Sequence, residues 1–86
     1  MSSLDLDRLS FPQRVVIECL YYGEHHETPR RYMPCGDSTI NVLLRMGWIE
    51  HRPERLESRR YDDVVYHEAM YWLSDQAWQV LLGLGW

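Results

Sequence analysis

The residues of this 86-residue chain that could do chemistry are few: His25, His26, His51 and His67, the thiols of Cys19 and Cys35, and thirteen carboxylates. A structural zinc site wants ligand pairs spaced as Cys-x2-Cys or His-x3-His, because four donors must converge on one tetrahedral ion. No pair here has that spacing, so no metal is expected. Covalent catalysis needs a nucleophile beside a base, and nucleotide binding commonly needs a glycine-rich loop; neither motif occurs. Asp62-Asp63 is more simply a turn than a catalytic pair. The expectation is a non-enzymatic chain without a cofactor.

The chemistry that remains is recognition. All nine basic residues are Arg and none is Lys. The planar guanidinium suits bidentate contact with phosphate or carboxylate, although Arg-only usage also follows from genomic base composition. Charge is unevenly placed: Arg30 to Arg60 carries a net +3 and the remainder −7, for a total of −4. The acidic total argues against non-specific adhesion to nucleic acid or to an anionic membrane. The aromatic set Tyr61, Tyr66, Tyr71, Trp72, Trp78 and Trp86 exceeds what one small core needs. Tyr, Trp and Arg are the types enriched at interface hot spots. Trp48, Tyr71 and Trp78 read as core, and Tyr66, Trp72 and Trp86 as candidates for a protein interface.

Those residues must be held by one domain spanning 1–86, since a chain of this length buries only roughly 60 to 65% of its unfolded surface and cannot support two cores. No apolar run approaches the roughly 20 residues that cross a bilayer, and Met1 to Ser10 is acidic where a signal peptide is basic. A soluble, cytoplasmic chain with free thiols and no membrane partner is expected. Ser10-Phe11-Pro12-Gln13 is a helix start, with Ser10 as cap and Gln13 three residues on. Val15, Val16, Cys19 and Leu20 then form an apolar stripe to Gly23, with Arg14 and Glu18 outward. Glu24 to Gly36, with two prolines, predicts a loop with at most one helical turn. Asp37-Ser38-Thr39 offers caps for a second helix whose Ile40, Leu43 and Leu44 share a face and which ends at Gly47. Trp48-Ile49 begins a strand, Pro53 to Asp63 is a charged hairpin tip, and Val64 to Leu73 alternates as one long strand pairing back on Trp48 to Arg52. Ser74 caps a last helix, Asp75 to Leu82, with a core stripe of Ala77, Trp78, Leu81 and Leu82.

This order resembles the winged helix-turn-helix group, particularly small phage and bacterial regulators of MarR type. Ser38-Thr39-Ile40-Asn41-Val42-Leu43-Leu44-Arg45-Met46-Gly47-Trp48-Ile49-Glu50 is similar to a recognition helix running through a glycine into the first wing strand. Arg59-Arg60-Tyr61-Asp62 resembles a wing tip, and Tyr71-Trp72-Leu73-Ser74-Asp75-Gln76-Ala77-Trp78 the strand-to-helix junction after it. The chain departs from the group at Glu24 to Gly36, where a regular helix would brace the recognition helix. The resemblance implies an α+β, winged-helix-like fold of three main helices and a two-stranded antiparallel hairpin wing. It implies base contacts from Ser38, Thr39, Asn41 and Arg45, and phosphate contacts from Arg30, Arg31, Arg59 and Arg60. Double-stranded DNA is then the expected partner, bound by a homodimeric transcriptional regulator. The alternative is a phage or mobile-element module that docks on a host protein of a nucleic-acid machine through its acidic, aromatic surface.

Overall fold

A computed structural model describes residues 4–23, 27–58, 60 and 63–86. The expected helix start is present: the Ser10 hydroxyl accepts from the Gln13 N–H at 3.4 Å while the Gln13 side chain accepts from the Ser10 N–H at 3.0 Å. It opens α1, Phe11–Tyr22, preceded by a single 3-10 turn at Leu6–Arg8. Arg14 meets Glu18 at 3.8 Å on its outer face. The buried stripe is rotated from the expected one. Val16, Ile17 and Leu20 are inside, whereas Cys19 is exposed. An isoleucine removes more apolar area from water than a thiol does, so turning Ile17 inward at the expense of Cys19 is the more favourable orientation.

The described part of the proline-bearing segment holds a two-residue strand, β1 (Thr28–Pro29), followed by a 3-10 turn, Arg30–Tyr32. Helix α2, Asp37–Met46, buries Ile40 and Leu43 and keeps Leu44 half-buried. The caps expected from Asp37, Ser38 and Thr39 do not form. Gly36 occupies the capping position without a side-chain bond, and the Asp37 carboxylate is drawn to Arg30 instead. At the other end Gly47 adopts φ 87°, a left-handed conformation that costs an L-residue about 1 to 2 kcal/mol, which explains glycine there.

The remaining strands correct the hairpin. β2 (Ile49–Arg52) pairs with β5 (Met70–Leu73), while β3 (Arg55–Ser58) pairs with β4 (Val64–His67). Pro53 to Asp63 is therefore not all tip, and Val64 to Leu73 is two strands. The register runs from Ile49↔Leu73 to Arg52↔Met70 and resumes at Arg55↔His67, three residues later on both sides. One ladder is thus interrupted where Pro53 would face Ala69 and Glu54 would face Glu68. Proline has no N–H to give the ladder, and opposed carboxylates repel. Both glutamates find other partners: the Tyr66 hydroxyl donates to Glu54 at 2.6 Å, and Glu68 meets Arg31 at 3.3 Å. β1 adds a third strand beside β5, giving the antiparallel order β1-β5-β2.

Helix α3, Asp75–Gly83, is capped by Ser74, whose hydroxyl accepts from the Ala77 N–H at 3.1 Å and donates to the Gly47 carbonyl at 2.6 Å. Ala77 and Leu81 are buried, Trp78 is only half-buried, and Leu82 is exposed. Leu82 lies about 100° round the helix from Leu81, past the edge of the core stripe. Trp48 is fully buried where α2, β2 and α3 meet. Its carbonyl accepts from the Ser74 N–H at 3.0 Å, and its own N–H donates to Leu43 at 3.1 Å. The fold is α+β, three α-helices on a small antiparallel sheet among the described residues, with the β3–β4 ribbon extending a molecule of 51 × 25 × 22 Å. No described helix is long and apolar enough to cross a membrane.

Candidate functional site

Because α2 turns Ile40 and Leu43 into the core, Ser38, Asn41 and Arg45 fall on its opposite face at helical spacing and are all exposed. Thr39, expected with them, is half-buried at the edge of that face. The structure therefore brings together three of the four residues expected to read bases.

The expected phosphate ligands are more scattered. Arg30 donates to one Asp37 oxygen from Nε at 3.1 Å and from Nη2 at 2.7 Å, pinning the 3-10 turn to the start of α2. This hydrogen bond raises the Arg30 pKa above its ordinary value, against the smaller effect of desolvation. Arg31 is shared between Glu68 and the ring of Tyr32, 5.0 Å away. Arg60 is exposed near the ribbon tip, and Arg59 lies outside the described residues, as do Tyr61 and Asp62 of the same motif. Two arginines not singled out in the sequence sit on the strands. Arg52 meets Glu27 at 2.8 Å and lies 6.0 Å from the Trp72 ring, while Arg55 is exposed on β3. Their signal was their placement on either side of Pro53 within a charged run.

The three aromatic interface candidates occupy different settings. Tyr66 is 58% exposed on the ribbon. Its bond to Glu54 raises the phenol above the ordinary tyrosine range. Trp72 is half-buried on the outer sheet face, its indole N–H donating to Glu50 at 3.2 Å. Trp86 is half-buried against Tyr21 and stacks at 6.0 Å on Tyr22, itself exposed. Tyr21 also packs 5.0 Å from Trp78, so these four rings tie the end of α1 to α3. Exposed Leu82 and Leu84 lie along the same helix end.

No group of three His, Cys, Asp or Glu among the described residues could hold a metal. His51 stacks on Tyr71 and His67 bonds to Glu57 at 2.8 Å, whereas His25 and His26 lie outside the described residues. Both cysteines are free thiols. An open groove of about 550 Å³ has a lining that includes the Arg30–Asp37 pair, His51, Glu54 and Tyr66. Compared with known proteins, the chain matches no family model, no curated protein and no solved structure.

Proposed function

We propose that this chain is a small, non-enzymatic DNA-binding regulator of winged-helix type, with α2 entering the major groove and the β-ribbon lying along the backbone. The observation that carries the reading is the stripe Ser38, Asn41 and Arg45, exposed on a helix whose other face is firmly in the core. Asn matches the adenine edge and Arg the guanine edge, each good pair contributing about 1 to 3 kcal/mol of discrimination. The sheet order β1-β5-β2, with α2 between β1 and β2 in the chain, supports the same arrangement. Because Arg30, Arg31 and Arg52 already hold carboxylates, the phosphate contacts fall to Arg55 and Arg60. A phosphate contact positions a protein but specifies nothing.

Mobility-shift titrations at two salt concentrations test this. Asn41→Ala and Arg45→Ala are expected to relax sequence preference, whereas Arg55→Ala and Arg60→Ala weaken all sequences alike and each flatten the salt slope by about one unit. Wild-type protein that binds no member of a genomic fragment library at low salt would sink the reading.

One feature favours a second reading, a protein-binding module of phage or mobile-element type. Tyr22, Leu82 and Leu84 are exposed beside the Trp86 cluster, in the part of the chain that carries the −7 charge. A pull-down with and without nuclease separates the two, because only a nucleic-acid-mediated capture is lost on digestion.

A further inference from the structure

The β3–β4 ribbon has two open edges, and their sequences differ. β3 is Arg55-Leu56-Glu57-Ser58, with charged residues and Pro53 just before it. β4 is Val64-Val65-Tyr66-His67: β-branched and aromatic, without a Lys, Arg, Asp, Glu or Pro. Charges and prolines are the usual devices that keep an edge from pairing with another chain. The other edges are blunted: β1 is two residues long and ends in Pro29, and β2 carries Glu50 and Arg52. β1 covers β5 only as far as the pairs Thr28↔Tyr71 and Pro29↔Met70, so its protection stops short of β4. Among the described residues β4 takes backbone partners from β3 alone.

We propose that this edge is a self-association surface, on which β4 pairs antiparallel with β4 of a second copy about a two-fold axis at Val65. A two-fold normal to the sheet keeps each side chain on its own face, so only residues of equal parity can stand opposite one another. Centred on Val65, the register sets Val64 against Tyr66 of the other copy, an aromatic and β-branched pair of the kind that stabilises sheets. It also sets the Asp63 carboxylate against the His67 ring of the other copy, a hydrogen-bonding pair. Leu56 and Val64, 71% and 56% exposed, then join Tyr66 in one apolar face across four strands. Growth stops at two copies, because the outer edges of that sheet are the charged β3 strands.

A strand pair of about five residues spans roughly 17 Å. It lies well under the roughly 1,200 Å² of a stable interface, so the dimer is weak and concentration-dependent, dissociating at roughly 10 µM to 1 mM. The proposal does not depend on DNA binding, and its test contains no DNA. Sedimentation velocity of the full chain across that range is expected to show a monomer–dimer equilibrium. Val65→Lys sets two ammonium groups face to face on the axis, each across the hairpin from Glu57, which already holds His67. It is expected to leave a monomer with unchanged circular dichroism. Val64→Lys, at an exposed site, is expected to do the same and stands in if Val65→Lys fails to fold. Leu56→Lys, on the strand that takes no part, is expected to dimerise like wild type. A wild-type chain that stays monomeric, a dimer indifferent to both valine substitutions, or one abolished by Leu56→Lys would each overturn the proposal, the last by pointing to face-to-face stacking.

Discussion

Trp48 has the largest of the fully buried side chains, and its indole N–H has no hydrogen-bond acceptor among the described residues. The two facts pull in opposite directions when the side chain is cut back. Trp48→Ala empties the junction of α2, β2 and α3 and is expected to cost about 3 to 5 kcal/mol. A chain of this length holds only roughly 4 to 13 kcal/mol in all, so that variant approaches the limit of folding. Trp48→Phe removes only the pyrrole part of the ring, for a loss of about 1 to 2 kcal/mol in transfer and cavity terms. It also removes a buried donor whose lack of a partner costs about 1 to 3 kcal/mol. The net is expected to lie between a loss of about 1 kcal/mol and a gain of about 2 kcal/mol relative to wild type, well short of the loss in Trp48→Ala. Urea denaturation followed by far-ultraviolet circular dichroism measures both variants without relying on the fluorescence of four tryptophans. If Trp48→Phe loses as much as Trp48→Ala, the N–H is not an uncompensated donor and the reasoning fails.

Ser74→Ala removes both a helix cap and the bond to the Gly47 carbonyl and is expected to cost about 2 to 3 kcal/mol, with Ser74→Thr recovering part of it in the same denaturation assay. Gly47→Ala forces a Cβ into the left-handed region and is expected to cost about 1 to 2 kcal/mol, although no neighbouring atom crowds the site. Cys19 is exposed, while Cys35 is half-buried and burial pushes its thiol up, so limited alkylation at mildly basic pH is expected to label Cys19 first, as mass spectrometry of the digest reports. The Tyr66 phenol is raised because its O–H donates to Glu54. That bond is intact below the ordinary tyrosine pKa and is lost as pH rises through the folded value, so Glu54→Gln is expected to move one tyrosinate transition to lower pH in an ultraviolet titration.

Where one residue type has one physical job, the sequence was readable. Ser10 with Gln13, Gly47 and Ser74 each solve a local problem of unpaired helix-end groups, and α1, α2 and α3 begin or end where those residues stand. The alternation of Tyr71 and Leu73 inward against Met70 and Trp72 outward follows from the pleat alone. Helix rotation was less legible, because Ile17 against Cys19 and Leu81 against Leu82 are decided by which neighbour fills more of the core. The break in the hairpin could have been read from Pro53, but where the ladder resumes depends on Glu54 and Glu68 finding partners in Tyr66 and Arg31. β1 was not legible at all: two residues ending in proline carry no period, and their pairing with β5 is set by a fold already formed.

The candidate site shows the same division. Ser38, Asn41 and Arg45 share a face because 3.6 residues per turn and a buried Ile40 and Leu43 leave them nowhere else to go. The arginines obey no such rule. A guanidinium on a flexible stem goes to whichever carboxylate the tertiary fold brings within reach. Arg30 finds Asp37 seven residues on, Arg31 finds Glu68, and Arg52 finds Glu27 twenty-five residues back. Counting charge by segment therefore located a +3 stretch but overstated how much of it stays free, since three of its six described arginines hold carboxylates. All three pairs are partly exposed, so each contributes only about 0 to 1 kcal/mol. A phosphate that recruits Arg30 or Arg31 must still displace its carboxylate first. Among the described residues Arg55 holds no carboxylate, which is why the salt dependence of binding is expected to follow Arg55 and Arg60 more closely than the pair beside α2.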